Sequence, residues 1–152
     1  VFELIGSLNM GKLTIMVVDD SSPMREVIIK TIKAAGYTSD NFIQASNGRE
    51  ALDLMQGNWI DLLVTDYNMP DMDGLMLIEE MKKDDVFSSV PVLIITTERR
   101  EELIELFIEK GAAGYLKKPF RPEEIRQKIS EILGERNFDG DEAEDFDEGL
   151  DF

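Results

Sequence analysis

Cysteine and histidine are both absent from the 152 residues, and each absence removes a class of chemistry. Without cysteine there is no disulfide, no thiolate nucleophile and no thiolate metal site, a composition compatible with a reducing cytoplasm. Without histidine there is no imidazole general base, no histidine-ligated zinc and no phosphohistidine carrier role for this chain. Basic residues are scarce as well: 16 Lys and Arg face 32 Asp and Glu, for a net charge of -16. Such a field argues against nucleic acid or an anionic membrane as a direct partner. No apolar run approaches the roughly 20 residues needed to cross a bilayer, and the opening VFELIGSLN lacks the basic flank of a signal peptide.

The length suits one domain with a full core between a sheet and its helices. The acidity is uneven, because residues 137–152, NFDGDEAEDFDEGLDF, carry eight acids and no base. Residues 135–152 therefore read as an acidic, disordered tail, although its spaced phenylalanines would also suit a docking segment. At the other end Met10, Gly11 and Lys12 look like a natural start. Residues 1–10 are expected to be an N-terminal extension, vector-derived or upstream, with an extra helical turn on the core as the alternative. The domain itself is expected over residues 11–134, and the eighteen residues after Gly134 are too few for a DNA-binding helix-turn-helix module.

From Lys12 onward, short apolar runs alternate with longer amphipathic ones. LTIMVV (13–18) is continuous enough for a strand buried on both faces, and it ends in Asp19 and Asp20. A helix follows, capped by Ser21 or Ser22, with Pro23 in its first turn and Gly36 as its stop. A weaker strand near Phe42–Ala45 leads to a short helix capped at Ser46 or Asn47. The next strand, IDLLVT (60–65), ends at Asp66. A helix over 74–83 precedes the strand 90–96; the pattern then predicts a helix over 98–110, closed by Gly111. GYLKKP holds a short strand ending near Lys118, and PEE opens a last helix over 122–133, with two acids where free N–H groups favour negative charge. Five strands alternating with five helices imply a doubly wound α/β fold built on a parallel sheet.

In such folds ligands bind beyond the carboxyl ends of the strands. Polar residues stand at four of those five ends: Asp19 and Asp20, Asp66, Thr96 and Lys118. VVDDSS, LLVTDYNMPDMDG, VPVLIITTE and GAAGYLKKPF, in this order and spacing, resemble the receiver domain of two-component response regulators, the CheY-like family. The likeness covers about residues 11–134. It implies a five-stranded flavodoxin-like sheet in the order 2-1-3-4-5, for which CheY is itself a known example.

Three carboxylates meeting at one edge repel each other, and a hard divalent cation with oxygen ligands relieves the repulsion. Mg2+ fits, since it takes a few carboxylates and keeps exchangeable waters. Asp19, Asp20 and Asp66 are the expected ligands, and the resemblance adds the backbone carbonyl of Asn68. Asp66 is then the phosphoacceptor that forms an aspartyl phosphate, with Lys118 and Thr96 neutralising equatorial oxygens. The resemblance further implies a switch in which Thr96 and Tyr115 move together, and a cis peptide bond between Lys118 and Pro119. The phosphoryl donor would be a sensor histidine kinase or histidine phosphotransfer protein. Output would pass to a protein target such as the flagellar motor or another effector, with a phosphatase as a further partner. The chain would be a signalling domain, catalysing only its own phosphorylation and dephosphorylation, in the cytoplasm.

Each residue also has a plainer reading. Asp19 and Asp20 could cap the helix that follows them, and Asp66 with Lys118 could be a structural ion pair. Thr96 alone reads as a cap and Tyr115 alone as a half-buried core aromatic. Asp71 and Asp73 fit capping of the next helix better than the site. Leu103, Ile104, Phe107 and Ile108 form a core-facing stripe, and Leu106 falls off it, toward solvent. Thr97, Phe107 and Arg121 depart from the usual family pattern, Arg121 being a poor N-cap. The competing functions are a phosphorylation-independent receiver-like adaptor, an aspartate-nucleophile phosphohydrolase and an FMN binder. The hydrolase lacks a second acid at position 68, and the FMN binder lacks a glycine-rich phosphate loop after the first strand.

Overall fold

The computed structural model describes residues 12–134 apart from 39, and the expectations for residues 1–10 and 135–152 lie outside the described residues. Within it, strands and helices alternate along the chain. The strands are β1 (Thr14–Val18), β2 (Asn41–Ala45), β3 (Leu62–Asp66), β4 (Val92–Thr96) and β5 (Gly114–Lys117). The helices are α1 (Ser22–Ala34), α2 (Gly48–Met55), α3 (Gly74–Lys82), α4 (Glu101–Glu109) and α5 (Pro122–Leu133), with a single 3-10 turn at Phe87–Ser89 before β4. All four strand pairings are parallel, and the sheet order is β2-β1-β3-β4-β5.

The sheet is buried on both sides because its strands carry apolar residues at consecutive positions, and strand side chains alternate between faces. Met16, Val18, Leu63 and Ile94 join one core with Leu52 and Met55 of α2, Leu77 and Ile78 of α3, and Ile104 and Phe107 of α4. Ile15, Val17, Leu62, Val64, Leu93 and Ile95 join the other with Ile28 and Ile32 of α1 and Ile125 and Ile129 of α5. Two helices thus cover one face and three the other. The edge strand β2 is the least buried, which accounts for its weaker sequence pattern.

Helix ends follow local chemistry. The Ser21 hydroxyl accepts from the Met24 N–H, the Asn47 side chain from the Glu50 N–H, and the Asp73 carboxylate from the Met76 N–H, each meeting a donor left free in the first turn. Arg121 makes no side-chain cap; its own N–H instead donates to Glu124 Oε1 at 2.9 Å. Gly36 and Gly111 follow α1 and α4 at φ values of +113° and +111°, where a side chain would be strained.

Two local readings are corrected. α4 begins at Glu101 rather than Glu98, because the Glu98 carboxylate accepts from the Arg99 and Arg100 N–H groups and turns that segment into a loop. On α4, Ile108 is 49 % exposed, whereas Leu106 is partly buried against the core. The core stripe is Leu103, Ile104, Leu106 and Phe107, with Leu106 in the place expected for Ile108.

Candidate functional site

Parallel register brings the carboxyl ends of β1, β3, β4 and β5 to one edge. Val18 pairs with Thr65, Asp66 with Ile95, and Thr96 with Lys117. Asp19 and Asp20 lie just past the end of β1, Asp66 is the last residue of β3, Thr96 the last of β4, and Lys118 follows β5. One ligand oxygen from each of Asp19, Asp20 and Asp66 lies within 4.8 Å of the others. Lys118 Nζ stands 3.4 Å from Asp66 Oδ1 and 3.8 Å from Asp19 Oδ2.

The site is largely screened from water on one side and open on the other. The side chains of Asp19 and Asp66 are 3 % and 12 % exposed, and Asp20 is exposed. Burial pushes the Asp66 carboxyl up from its ordinary range, against the pull of Lys118 and of the Tyr67 and Asn68 N–H groups. Burial likewise raises Asp19, with the charges of Asp66 and Asp20 adding to it, while the Ser21 N–H and Lys118 oppose. Asp19 Oδ1 accepts from the Ser21 N–H at 2.8 Å. Among the described residues, Asp19 Oδ2 is the one buried side-chain oxygen or nitrogen with no hydrogen-bond donor. An all-oxygen cluster of two buried acids and one exposed one, with an orphaned oxygen and a nearby ammonium, is the donor set a hard divalent cation would complete.

The loop after Asp66 is tightly packed behind the site. Gly74 N–H donates to the Tyr67 carbonyl at 2.9 Å, and a Cβ on Gly74 would stand 3.0 Å from the Asp66 carbonyl oxygen. Asp71 takes a φ of +69°, a conformation that Asp tolerates better than most residues. Asn68 is exposed two residues beyond β3.

Thr96 is fully buried, and its Oγ1 accepts from the Glu98 N–H at 2.8 Å. The Thr96 carbonyl accepts from the Lys118 N–H at 2.8 Å, tying β4 to the residue that carries the ammonium. The peptide bond between Lys118 and Pro119 is cis. Tyr115 is partly buried on β5, paired with Ile94, and Lys128 Nζ lies 5.6 Å from its ring centroid. The structure therefore gathers Asp19, Asp20, Asp66 and Lys118 in direct proximity, with Thr96 at the adjoining strand end.

Sequence reading missed the groups that hold the site's loops. Arg100 pairs with Glu98 through two guanidinium nitrogens at 2.8 and 3.0 Å, which holds the Glu98 carboxyl down at about 2. Arg99 Nη2 donates to the Lys118 carbonyl at 3.2 Å. Arg25 Nη1 donates to the Asp19 carbonyl at 2.6 Å. A charged residue in a loop or first helical turn carries no sequence signal for which carbonyl it will meet.

Comparison with known proteins agrees with this geometry. The family model described as the response regulator receiver domain matches residues 15–130. The chain belongs to the response regulator receiver family. It is 33 % identical over 129 residues to the chemotaxis protein CheY homolog of Campylobacter jejuni, covering 84 % of this chain and 98 % of that protein. It is 35 % identical over 123 residues to chemotaxis protein CheY1 of Helicobacter pylori, covering 80 % and 98 % respectively. Among solved structures it resembles the chemotaxis protein CheY4 of Vibrio cholerae, with a TM-score of 0.72, 32 % identity and coverage of 80 % of this chain and 99 % of that one. Receiver domains of this kind are signalling domains of two-component systems rather than enzymes in the ordinary sense. No described helix is long and apolar enough to cross a membrane.

Proposed function

We propose that residues 11–134 form a phosphoryl-accepting receiver whose acceptor is Asp66, and that the chain signals through protein contacts in a chemotaxis-type pathway in the cytoplasm. The observation that carries this reading is the position of Lys118 Nζ, 3.4 Å from Asp66 Oδ1 and 3.8 Å from Asp19 Oδ2, at the end of a buried sheet. Burial holds the carboxylate out of bulk water, and the Lys118 ammonium opposes the penalty that burial places on its charge.

In the proposed step an oxygen of Asp66 attacks the phosphorus of the donor. A P–O bond to Asp66 forms as the bond to the leaving group breaks, and the leaving group departs with the electron pair. The donor is a phosphohistidine of a sensor kinase or phosphotransfer protein, or a small acyl phosphate. Lys118 stabilises the charge on one equatorial oxygen, and the Thr96 hydroxyl donates to another once it releases the Glu98 N–H. Asp19, Asp20, Asp66 and the backbone carbonyl of Asn68 would hold Mg2+. When bound, the ion supplies neutralisation of charge on the phosphoryl oxygens. Reversal follows when water attacks the phosphorus and returns Asp66 to its free form.

Thr96 and Tyr115 are the proposed switch. Movement of the Thr96 hydroxyl toward a new phosphoryl group breaks its bond to the Glu98 N–H, so the loop before α4 is biased by the charge at Asp66. The target is a protein surface, such as that of a flagellar motor or another effector, and a phosphatase would restore the resting state.

The test is incubation with acetyl phosphate, with and without Mg2+, followed by intact-protein mass measurement. One phosphoryl group is expected, only with Mg2+, and none in Asp66→Asn. Equal labelling of that variant would sink the assignment of the acceptor.

A further inference from the structure

The two acids Asp19 and Asp20 sit on the turn between β1 and α1, and that turn is held from several sides. The Asp19 N–H donates to the Ala45 carbonyl of β2 at 3.1 Å, and the Arg25 N–H to the Ser21 carbonyl at 2.9 Å. The Arg25 side chain then reaches back from α1. Its Nη1 donates to the Asp19 carbonyl at 2.6 Å and its Nε to Gln44 Oε1 at 2.9 Å.

A guanidinium forms its strongest bonds as a two-pronged pair with a carboxylate. Here it meets the backbone carbonyl of Asp19, the residue whose buried carboxylate has an oxygen, Oδ2, with no donor. Even so, the hydrogen bonds it makes are to neutral acceptors, the Asp19 carbonyl just past β1 and the Gln44 side chain on β2. A guanidinium paired with Asp19 would occupy the acid that a divalent ion needs. Gln44, exposed on the edge strand, accepts from Nε and so shares the guanidinium with the Asp19 carbonyl.

We infer that Arg25 and Gln44 act as one positioning unit for the cation site. Arg25 anchors the Asp19 carbonyl so that the carboxylates of Asp19 and Asp20 converge on Asp66, and Gln44 restrains the guanidinium from pairing with them. The inference rests on the divalent-cation reading above. Outer partners that orient a metal's ligands are worth about ten- to a hundredfold in affinity, and the low end applies to a partner that acts through the backbone.

The test is equilibrium binding of Mn2+, read from the electron paramagnetic resonance signal of the free ion, with Mg2+ as competitor and thermal unfolding as a check of folding. Arg25→Ala is expected to weaken Mn2+ binding about tenfold. Gln44→Ala is expected to weaken it too, because the freed fork competes for the acids. The double variant is expected to bind no more weakly than Arg25→Ala, since without the guanidinium Gln44 has nothing to restrain. Unchanged affinity in Arg25→Ala, or losses that simply multiply in the double variant, overturns the inference while leaving the cation site standing. Gln44→Ala tests the restraint even where Arg25→Ala fails to fold, and unchanged affinity there also overturns it. Failure of the unaltered protein to bind Mn2+ overturns the cation reading and this inference together.

Discussion

Two glycines occupy equivalent places in the fold, and replacing each by alanine separates packing at the site from helix propensity. Gly48 follows the N-cap Asn47 of α2, and Gly74 follows the N-cap Asp73 of α3. Any gain from alanine in a first helical turn is therefore nearly the same in both, less than about 1 kcal/mol. The surroundings differ. A Cβ on Gly48 meets Met72 Sδ and Cγ, which can swing into the groove of about 300 Å3 that Met72 lines with Arg49, Met76 and Lys83, and Met72 Cβ at 3.2 Å, which must give by a few tenths of an ångström. A Cβ on Gly74 meets backbone: the Asp66 carbonyl oxygen at 3.0 Å and Tyr67 Cα at 3.2 Å. Backbone at the end of a central strand and in the packed loop that follows it cannot swing aside, so the strain falls in the range of overpacked cores, about 1–3 kcal/mol. Urea unfolding is expected to place Gly48→Ala close to the unaltered protein and Gly74→Ala about 1–2 kcal/mol below it. Because the displaced atoms belong to Asp66 and Tyr67, Gly74→Ala should also slow labelling by acetyl phosphate in protein that is still folded. Equal stability of the two variants, or normal labelling in Gly74→Ala, would refute the claim that close packing behind β3 sets the position of the acceptor.

Other consequences are more local. Phe107 is fully buried, its ring centroid 5.1 Å from that of Tyr67; Phe107→Ala should lower the unfolding free energy by about 3–5 kcal/mol in urea titrations. Ser21→Ala removes the cap of α1 and should cost about 1 kcal/mol by the same measurement. The Glu98 carboxyl is lowered from an ordinary 4.5 to about 2 by Arg100, so its contribution to stability is present above pH 4.5 and is lost as pH falls toward 2. Thermal unfolding across that window should show the difference between the unaltered protein and Glu98→Gln shrinking with acidification; a difference independent of pH would contradict the pairing.

Much of the fold was legible because its signals are local and repetitive. Consecutive apolar residues in β1, β3 and β4 mark strands covered on both sides, and Ser21, Asn47 and Asp73 mark where helices begin. The candidate site was legible because four of the five strand ends carry polar residues, two of them at β1, and a parallel sheet brings strand ends together regardless of the loops between them. What escaped depends on side chains meeting across the chain. Glu98 looked like the start of a helix, yet the Arg100 guanidinium and the N–H groups of Arg99 and Arg100 make it the centre of a loop. The choice of Leu106 over Ile108 for the core turns α4 about its axis by about half a residue step, which a run with five apolar residues in six does not decide. Arg25 and Gln44 are nineteen positions apart, and only the pairing of β2 with β1 brings them together.

The central claim is that Asp66, among the acids gathered at this edge, is the one that takes the phosphoryl group. Borohydride reduction of the acetyl phosphate-treated protein, followed by peptide mass spectrometry, tests it most directly, because an aspartyl phosphate is reduced to homoserine where it formed. Homoserine at position 66 alone, dependent on Mg2+, is the expected result. Homoserine at Asp19, Asp20, Asp71 or Asp73, or none at all in protein that carries the label, would contradict it.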